Sequence, residues 1–483
     1  MSEYSKIGKN SIYSFLSIFF RVFSNIIIFW LIARYYQADV FGQFTTAQTF
    51  ASVFILIADF GMDILLTTEL PKRIEKSSQI FSEIFSAKII FASFAFLLMI
   101  FLSLLNQFSE ATSLLLLMFS FFVLFSTITN FFFAFFKGNE KLGYEARVSF
   151  INNFGSLLAV LILILLKQNI FFIAGAYVTV RMVGLLLAFY YVKKINASIT
   201  IKLTFPIQKS VVKKIFVLGL FMLFGNLFFQ LDTILLAFWK DEKSVGVYQS
   251  VFRLIMVLLI IPDVFINSLM PVLSRLRNED REKWEKLSFV FNKILITIII
   301  PAAIVMFIYP AEILGLAYGA GKYDEAIPIF KIFSFIMLIR FFTEAYGLML
   351  ITADKQKVRM IIVVLGTVIN FAINFILIPR YDAFGAGITS LITNIVVGFL
   401  YYYTARKLKG NWTSGFKITN LFLLITAFAV IVYLTGMINA WYLSFVATLI
   451  YYYYAFRFMF SKSEQSQFMD IISNYRLGLS RRS

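Results

Sequence analysis

Cysteine and histidine are both absent from the 483 residues. Without cysteine the chain has no disulfide and no thiol nucleophile. Without histidine it has no Ser-His-Asp triad and no imidazole proton relay, and lacking both it has no Cys/His zinc site. Any proton chemistry inside it falls to Asp, Glu or Tyr. Charge is sparse at 14%, and acids are the scarcer sign, 26 against 44 Lys and Arg for a net +18. What is abundant is apolar: 60% hydrophobic residues, with 60 Phe and 24 Tyr. Soluble domains carry more charge than this and less apolar surface. Apolar runs long enough to cross about 30 Å of hydrocarbon as helices recur along the whole chain. The composition therefore describes an all-α polytopic membrane protein. The first apolar segment is long and lacks a small-residue cleavage pattern, so it reads as a span, not a cleavable signal.

Fourteen spans are expected, at about 11–34, 43–64, 83–105, 111–136, 146–167, 170–193, 214–239, 246–270, 287–309, 327–351, 357–379, 383–405, 417–437 and 441–460. With the N-terminus on the cytoplasmic side, that side collects 33 of the 44 Lys and Arg, counting both termini and adjoining helix ends. The opposite side holds six: Arg34, Lys167, Lys240, Lys243, Lys322 and Arg380. Such an alternation is the positive-inside pattern, and it predicts a cytoplasmic membrane protein with both termini inside. It also assigns the excess charge to topology and anionic lipid, not to nucleic acid. Outward connections are short, the longest being about 310–326. The longest inward ones, near 194–213 and 271–286, are basic. Neither side has room for a soluble catalytic domain.

The sequence repeats itself. "ADVFGQFTTAQTF" at 38–50 matches "KSVGVYQSVFRL" at 243–254, Gly42 and Phe44 corresponding to Gly246 and Tyr248. "KGNEKLGYEARVSFINNFGSLLAVLILI" at 137–164 matches "TADKQKVRMIIVVLGTVINFAINFILI" at 352–378. A repeat of about six spans gives two halves of one orientation. The expected organisation is a six-helix lobe at 1–194, a basic cytoplasmic linker at 195–213 and a second six-helix lobe at 214–405. The lobes flank a central cavity, followed by two extra helices within 406–460 and a basic cytoplasmic tail at 461–483.

Ten charges fall inside spans: Arg21, Arg181, Arg253, Lys331 and Arg340, with Asp59, Asp63, Asp232, Asp263 and Glu344. At about 2.5–3.5 kcal/mol for a charge at a span centre, such residues belong in the bundle interior or in water, not on lipid. Arg340 and Glu344, four apart, suit an internal salt bridge. Lys331 can snorkel. Asp59 and Asp63 are either solvated or paired with Arg73, and Asp263 follows a helix-distorting Pro262. Arg181 is central in its span and is a third cavity candidate. Arg21, in "FFRVFSNIIIFWLIAR", and Arg253 have no acid within helical reach. Each requires a distant carboxylate or an anionic ligand, since arginine does not shed its proton. Asp232 is the natural distant carboxylate and a candidate coupling group for a proton or Na⁺; Asp59 and Asp263 are the others. "GAGK" at 319–322 resembles the end of a phosphate loop, but the first glycine is displaced and Tyr323 stands where Ser or Thr is needed.

The ordered set "ARYYQADVFGQFTTAQTF", "ADFGMDILLTTELPKR", "FGNLFFQLDTILLAFWKDEKSVGVYQSVFRL", "IPDVFINSLMPVLSRL", "LITADKQ" and "NFAINFILIPRYDAFGAGITS" resembles the polysaccharide-repeat-unit flippases. These are the O-antigen and exopolysaccharide translocases of the multidrug/oligosaccharidyl-lipid/polysaccharide flippase superfamily. The resemblance covers about residues 8–405. It implies two six-helix lobes around a central cavity and alternating access. It also implies a polyprenyl-pyrophosphate-linked oligosaccharide as substrate, with Arg21 and then Arg253 neutralising its head group. The implied partners are that lipid-linked oligosaccharide, membrane lipids and polysaccharide polymerase machinery. No cofactor, metal or enzymatic activity is implied. The lipid II branch is richer in arginine around spans one and two, which makes lipid II the less fitting cargo. A cation antiporter on the same scaffold, using Asp59, Asp232 and Asp263, is the competing expectation. A membrane enzyme is the weaker rival, because the outward loops are too short for a catalytic domain, and Asp324 and Glu325 in the longest of them read as ordinary loop residues.

Overall fold

The computed structural model describes residues 3–72, 77–195, 209–408, 418–438, 440–461 and 464. Most of the expected linker and tail therefore lies outside the described residues, as does Arg73. Among the described residues regular structure is helical throughout. The helices are α1 (Glu3–Tyr35), α2 (Ala38–Asp59), α3 (Met62–Glu69), α4 (Ser77–Ser103), α5 (Glu110–Gly138), α6 (Leu142–Leu165), α7 (Ile170–Ile195) and α8 (Lys209–Trp239). There follow α9 (Glu242–Leu258), α10 (Ile260–Glu279), α11 (Arg281–Ile308), α12 (Pro310–Tyr318), α13 (Ile327–Thr352), α14 (Gln356–Arg406), α15 (Ile418–Met437) and α16 (Leu443–Met459). Each of the fourteen expected spans is helical, the second divided between α2 and α3 and the eighth between α9 and α10, and among the described residues ten helical segments are long and apolar enough to cross a membrane. The chain is a multi-pass membrane protein.

Local backbone chemistry sets the breaks. Phe60 (φ 42) and Gly61 (φ 84) adopt left-handed conformations and split the second span into α2 and α3. Asp382 (φ 58, ψ −141), three residues after Pro379, kinks the 51-residue α14 where two separate spans are expected. The expected outward loop at 310–326 contains α12, and the expected inward loop at 271–286 is helical up to a single junction residue, Asp280. There the Asp280 carboxylate accepts from the Lys283 amide (3.1 Å) and caps α11.

By contacts the chain divides into two compact units. The first comprises Met1–Arg253, Ala317–Tyr323 and Thr367–Ala386. In it α1 packs on α6, and α5 lies against α2, α3, α4 and α7. Lipid is as apolar as a leucine side chain, so helices in a bilayer associate through close packing instead of the hydrophobic effect. The phenylalanines supply that packing. Phe81, Phe85, Phe131, Phe132 and Phe135 form a buried cluster of α4 and α5, with Phe81 and Phe131 rings 5.3 Å apart.

The second unit comprises Leu254–Leu316, Asp324–Gly366 and Gly387–Ser483. Here α11 packs against α10, α13, α15 and α16. Tyr309, Phe428, Val432 and Tyr451 make its buried cluster, and the Tyr309 hydroxyl donates to the Val432 carbonyl. The tyrosine run 451–454 is divided by this packing. Tyr451 is buried, Tyr452 donates to the Ile298 carbonyl (3.0 Å), and Tyr453 and Tyr454 are exposed.

Candidate functional site

The break between α2 and α3 builds one wall of a cavity in the first unit. By reversing the backbone at Phe60 and Gly61, it aims the Asp63 amide at the Asp59 carboxylate (3.0 Å). Both carboxylates then converge on Lys88 of α4, whose Nζ lies 2.7 Å from Asp59 Oδ1 and 2.8 Å from Asp63 Oδ1. Lys88 is fully buried, and its ammonium lies 5.9 Å from the centre of the Phe131 ring. A lone buried ammonium would cost several kcal/mol, so two carboxylates hold it there. With all three ionised the triad carries one net negative charge. Lys88 is the residue that sequence reading missed, having been counted with a helix end. The available signal was a lysine inside the apolar stretch "IFSAKIIFASF" together with two aspartates four apart that needed a partner.

The cavity has a volume of about 560 Å³. Asp59 and Asp63 line it from α2 and α3, Arg21 and Ser17 from α1, and Arg181 from α7. Thr67 and Thr68 of α3, Asn130 and Lys137 of α5, and Glu145, Ser149 and Asn153 of α6 complete its polar lining. Lys137 pairs with Glu145 at 3.2 Å, and Arg21 also acts electrostatically on Glu145. Arg181 rests its guanidinium 5.2 Å over Phe122, and its Nε has no hydrogen-bond partner among the described residues. Arg21 and Arg181 are near enough for their like charges to repel. Among the described residues neither forms an ion pair. The cavity thus has a guanidinium side and a carboxylate side. Counting Lys88 behind the wall, four cations stand against three carboxylates.

The other sequence-chosen residues lie elsewhere. Arg253 of α9 sits 3.7 Å over the Phe29 ring, its Nε donating to Gln249 (3.0 Å) and a terminal nitrogen to Gln48 (2.8 Å). Its charge is absorbed by an aromatic face and two amide oxygens. Asp232 of α8 is buried; one oxygen accepts from Tyr248 (2.7 Å), the other from Asn370 (2.9 Å) and Asn374 (2.7 Å). The Asn374 side-chain oxygen is buried there and has no hydrogen-bond partner among the described residues. In the second unit Asp263 feels the positive charge of Arg340, and Glu344 that of Arg340 and Arg359. Lys331 lies 5.6 Å from the Phe307 ring centre.

Comparison with known proteins returns two families. The one described as "Polysaccharide biosynthesis protein" matches residues 7–277, more than half the chain, and the one described as "MatE" matches residues 218–376. An uncharacterized membrane protein of Methanocaldococcus jannaschii is 24% identical over 403 residues, covering 76% of this chain and 77% of that one. The probable flippase AglR of Haloferax volcanii is 26% identical over 168 residues, 34% of this chain and 35% of its own. Among solved structures, the lipid II flippase MurJ in an inward closed conformation superimposes with a TM-score of 0.71. That match has 15% identity and covers 92% of this chain and 97% of MurJ. The likeness to MurJ establishes the fold.

Proposed function

The chain belongs to the polysaccharide biosynthesis protein family of the flippase and multidrug transporter superfamily, and on that premise we propose that it flips polyprenyl-pyrophosphate-linked oligosaccharides across the cytoplasmic membrane. The observation that carries this reading is the pair Arg21 and Arg181: two guanidinium groups from different helices on one cavity, neither in an ion pair among the described residues. A guanidinium presents a planar fork of donors matched to phosphate oxygens, and two of them together suit a pyrophosphate. The repelling charges are a standing cost that a dianionic head group removes on binding. Arg181 thereby takes the second place that the resemblance gives to Arg253.

The carboxylate side supplies coupling. A proton or Na⁺ taken up at Asp59 and Asp63 brings the Lys88 triad from one negative charge to none and makes the cavity more attractive to an anion. Asp232, with the uncommitted Asn374 oxygen beside it, is a second coupling candidate, and Asp263 a third. The two six-helix halves, 1–194 and 214–405, rock between inward-open and outward-open states. The termini and the basic connections lie in the cytoplasm, as the distribution of Lys and Arg argues. The delivered lipid passes to polymerase machinery on the far side.

The competing reading, a cation antiporter, is favoured by Asp59 and Asp63 facing the same cavity and by the MatE match. The deciding experiment is translocation of a fluorescent undecaprenyl-pyrophosphate oligosaccharide in proteoliposomes. Wild type flips it, and Arg21→Ala or Arg181→Ala loses at least about tenfold in rate, one charge-assisted contact of ~1.5–3 kcal/mol. A wild-type protein inert toward such lipids that moves an organic cation against a proton gradient replaces this reading with the antiporter.

A further inference from the structure

The cavity of Arg21 and Arg181 reaches Lys137, near the end of α5. About 40 Å back along that helix, counting 1.5 Å per residue, its N-cap Ser109 borders a second cavity of about 280 Å³. Every residue lining it belongs to the first unit. Thr46 comes from α2, Gln107 to Ser109 from the connection between α4 and α5, and Lys240, Asp241 and Glu242 from the junction of α8 and α9. Lys240 is among the six cations that the charge bias assigns to the outward side.

Most polar groups around this cavity are partly committed to helix ends. Asp241 Oδ1 accepts from the Ser244 amide (2.8 Å) and hydroxyl (2.6 Å), capping α9. Glu242 Oε1 accepts from the Ser109 amide (3.3 Å) and the Thr112 hydroxyl (2.9 Å) at the start of α5. Lys240 donates to the Pro379 carbonyl (3.1 Å), and the Gln107 side-chain nitrogen to the Phe238 carbonyl (2.6 Å). These bonds leave out the second oxygen of each carboxylate, two ammonium hydrogens and the Gln107 oxygen. Thr46 differs from all of them. It is 1% exposed, and its Oγ1 has no hydrogen-bond partner among the described residues. Its neighbour Thr45 bonds back to the Phe41 carbonyl (2.8 Å), the usual resort of a helical threonine, which Thr46 does not use. Buried hydroxyls of this kind are few in native proteins, and each calls for an explanation. Phe108 supplies an apolar wall, its ring held 5.9 Å from that of Phe50 and 5.6 Å from that of Phe238.

We propose that this second cavity binds a single sugar ring, neutral or amino-bearing, through Thr46, Gln107, Lys240, Asp241 and Glu242. A ring of hydroxyls needs donors and acceptors together, with an apolar face for its C–H groups, and the lining has all three. A calcium or magnesium ion takes oxygen ligands alone, and Lys240 stands among these. The volume is just under the ~300–1,000 Å³ of drug-sized sites, which suits one ring and not an oligosaccharide. Two carboxylates against one ammonium leave a negative charge that turns away a uronic acid. That the ring ends a delivered glycan rests on the flippase reading; that the cavity takes a sugar does not.

Saturation-transfer NMR on the full chain in nanodiscs tests the site, with glucose, glucosamine and glucuronate as probes and calcium as competitor. Wild type binds glucose and glucosamine saturably and glucuronate far less. Thr46→Val keeps the shape of threonine and removes the hydroxyl. It weakens glucose binding at least about fivefold and leaves Tm the same or higher, because no hydrogen bond is lost in the free protein. A merely structural threonine would lose Tm and keep the sugar. Asp241→Asn still caps α9 and, with the negative charge gone, admits glucuronate. The site is overturned if wild type binds none of the three sugars, if it takes glucuronate as readily as glucose, or if Thr46→Val binds as wild type does. Calcium bound in place of any sugar also overturns it and makes the cavity a cation site. Should Thr46→Val not fold, Asp241→Asn decides, and selectivity unchanged from wild type overturns the site. Glucose bound by a protein that flips no lipid keeps the site and removes only the flippase reading.

Discussion

Two buried cations show how differently a membrane interior accommodates a fixed charge. Lys88 has two carboxylates at ion-pair distance, whereas Arg253 has an aromatic face and two glutamine oxygens. The consequences of removal differ accordingly. Lys88→Ala strands two carboxylates and should cost about 3–5 kcal/mol, read as a fall in Tm in detergent. Adding Asp59→Asn and Asp63→Asn to Lys88→Met should recover much of that loss, because no charge is left behind. Arg253→Ala should cost about 1–2 kcal/mol and leave translocation per folded molecule near wild type. A variant that keeps its Tm and loses translocation would instead move Arg253 into the substrate path. Arg21 and Arg181 should behave oppositely, with small changes in Tm and large ones in rate.

At the scale of elements, helix ends decide what the side chains can reach. The left-handed Phe60 and Gly61 turn the chain so that Asp63 and Asp59 share Lys88; an uninterrupted helix would give no such amide contact. At the start of α9, Asp241 accepts from the Ser244 amide (2.8 Å) and hydroxyl (2.6 Å). Burial opposes the Asp241 charge, but these bonds outweigh it and hold the carboxyl below the usual carboxylate range. A depressed folded-state pKa stabilises the fold above the unfolded value, about 3.9, and that stabilisation disappears as pH falls through the lower folded value. Asp241→Ala should cost about 1 kcal/mol at neutral pH. Asp241→Asn, which still caps but does not titrate, should flatten the corresponding part of the Tm profile between pH 5 and about 2. An unchanged profile would show that the cap does not contribute. Element ends also account for outward cations. Arg34, Lys240 and Lys322 each donate to a backbone carbonyl, those of Ala317, Pro379 and Arg34.

At the scale of the whole molecule, positions that the sequence repeat matches carry related chemistry. The spacing that relates Gly42 to Gly246 also relates Asp59 to Asp263, and each acid has a cation nearby, Lys88 for one and Arg340 for the other. The bias in Lys and Arg predicts the orientation of the chain in the membrane. In intact cells, a membrane-impermeant maleimide should label Asn106→Cys and spare Lys141→Cys, both exposed side chains in a chain otherwise free of thiols. Labelling of Lys141→Cys and not Asn106→Cys would invert the topology and with it the direction of transport.

Sequence alone determined what depends on the solvent and on short range. Long Phe-rich runs read as spans, so the helical segments are legible, but not the breaks within the second and eighth spans or the continuity of α14 through the eleventh and twelfth. The family was legible from an ordered set of motifs. Arg21, Asp59 and Arg181 stood out because a charge in hydrocarbon demands an explanation wherever it sits. What depends on side chains far apart in the chain was decided by the fold. Only tertiary packing brought Lys88 to Asp59 and Asp63, set Arg181 beside Arg21, and laid Arg253 on Phe29 instead. It alone pressed Gly42 onto Gly246, two glycines that the repeat had matched as equivalents without saying that they touch. Periodicity records which face of a helix is apolar, whereas a partner on another helix leaves no mark in either local pattern.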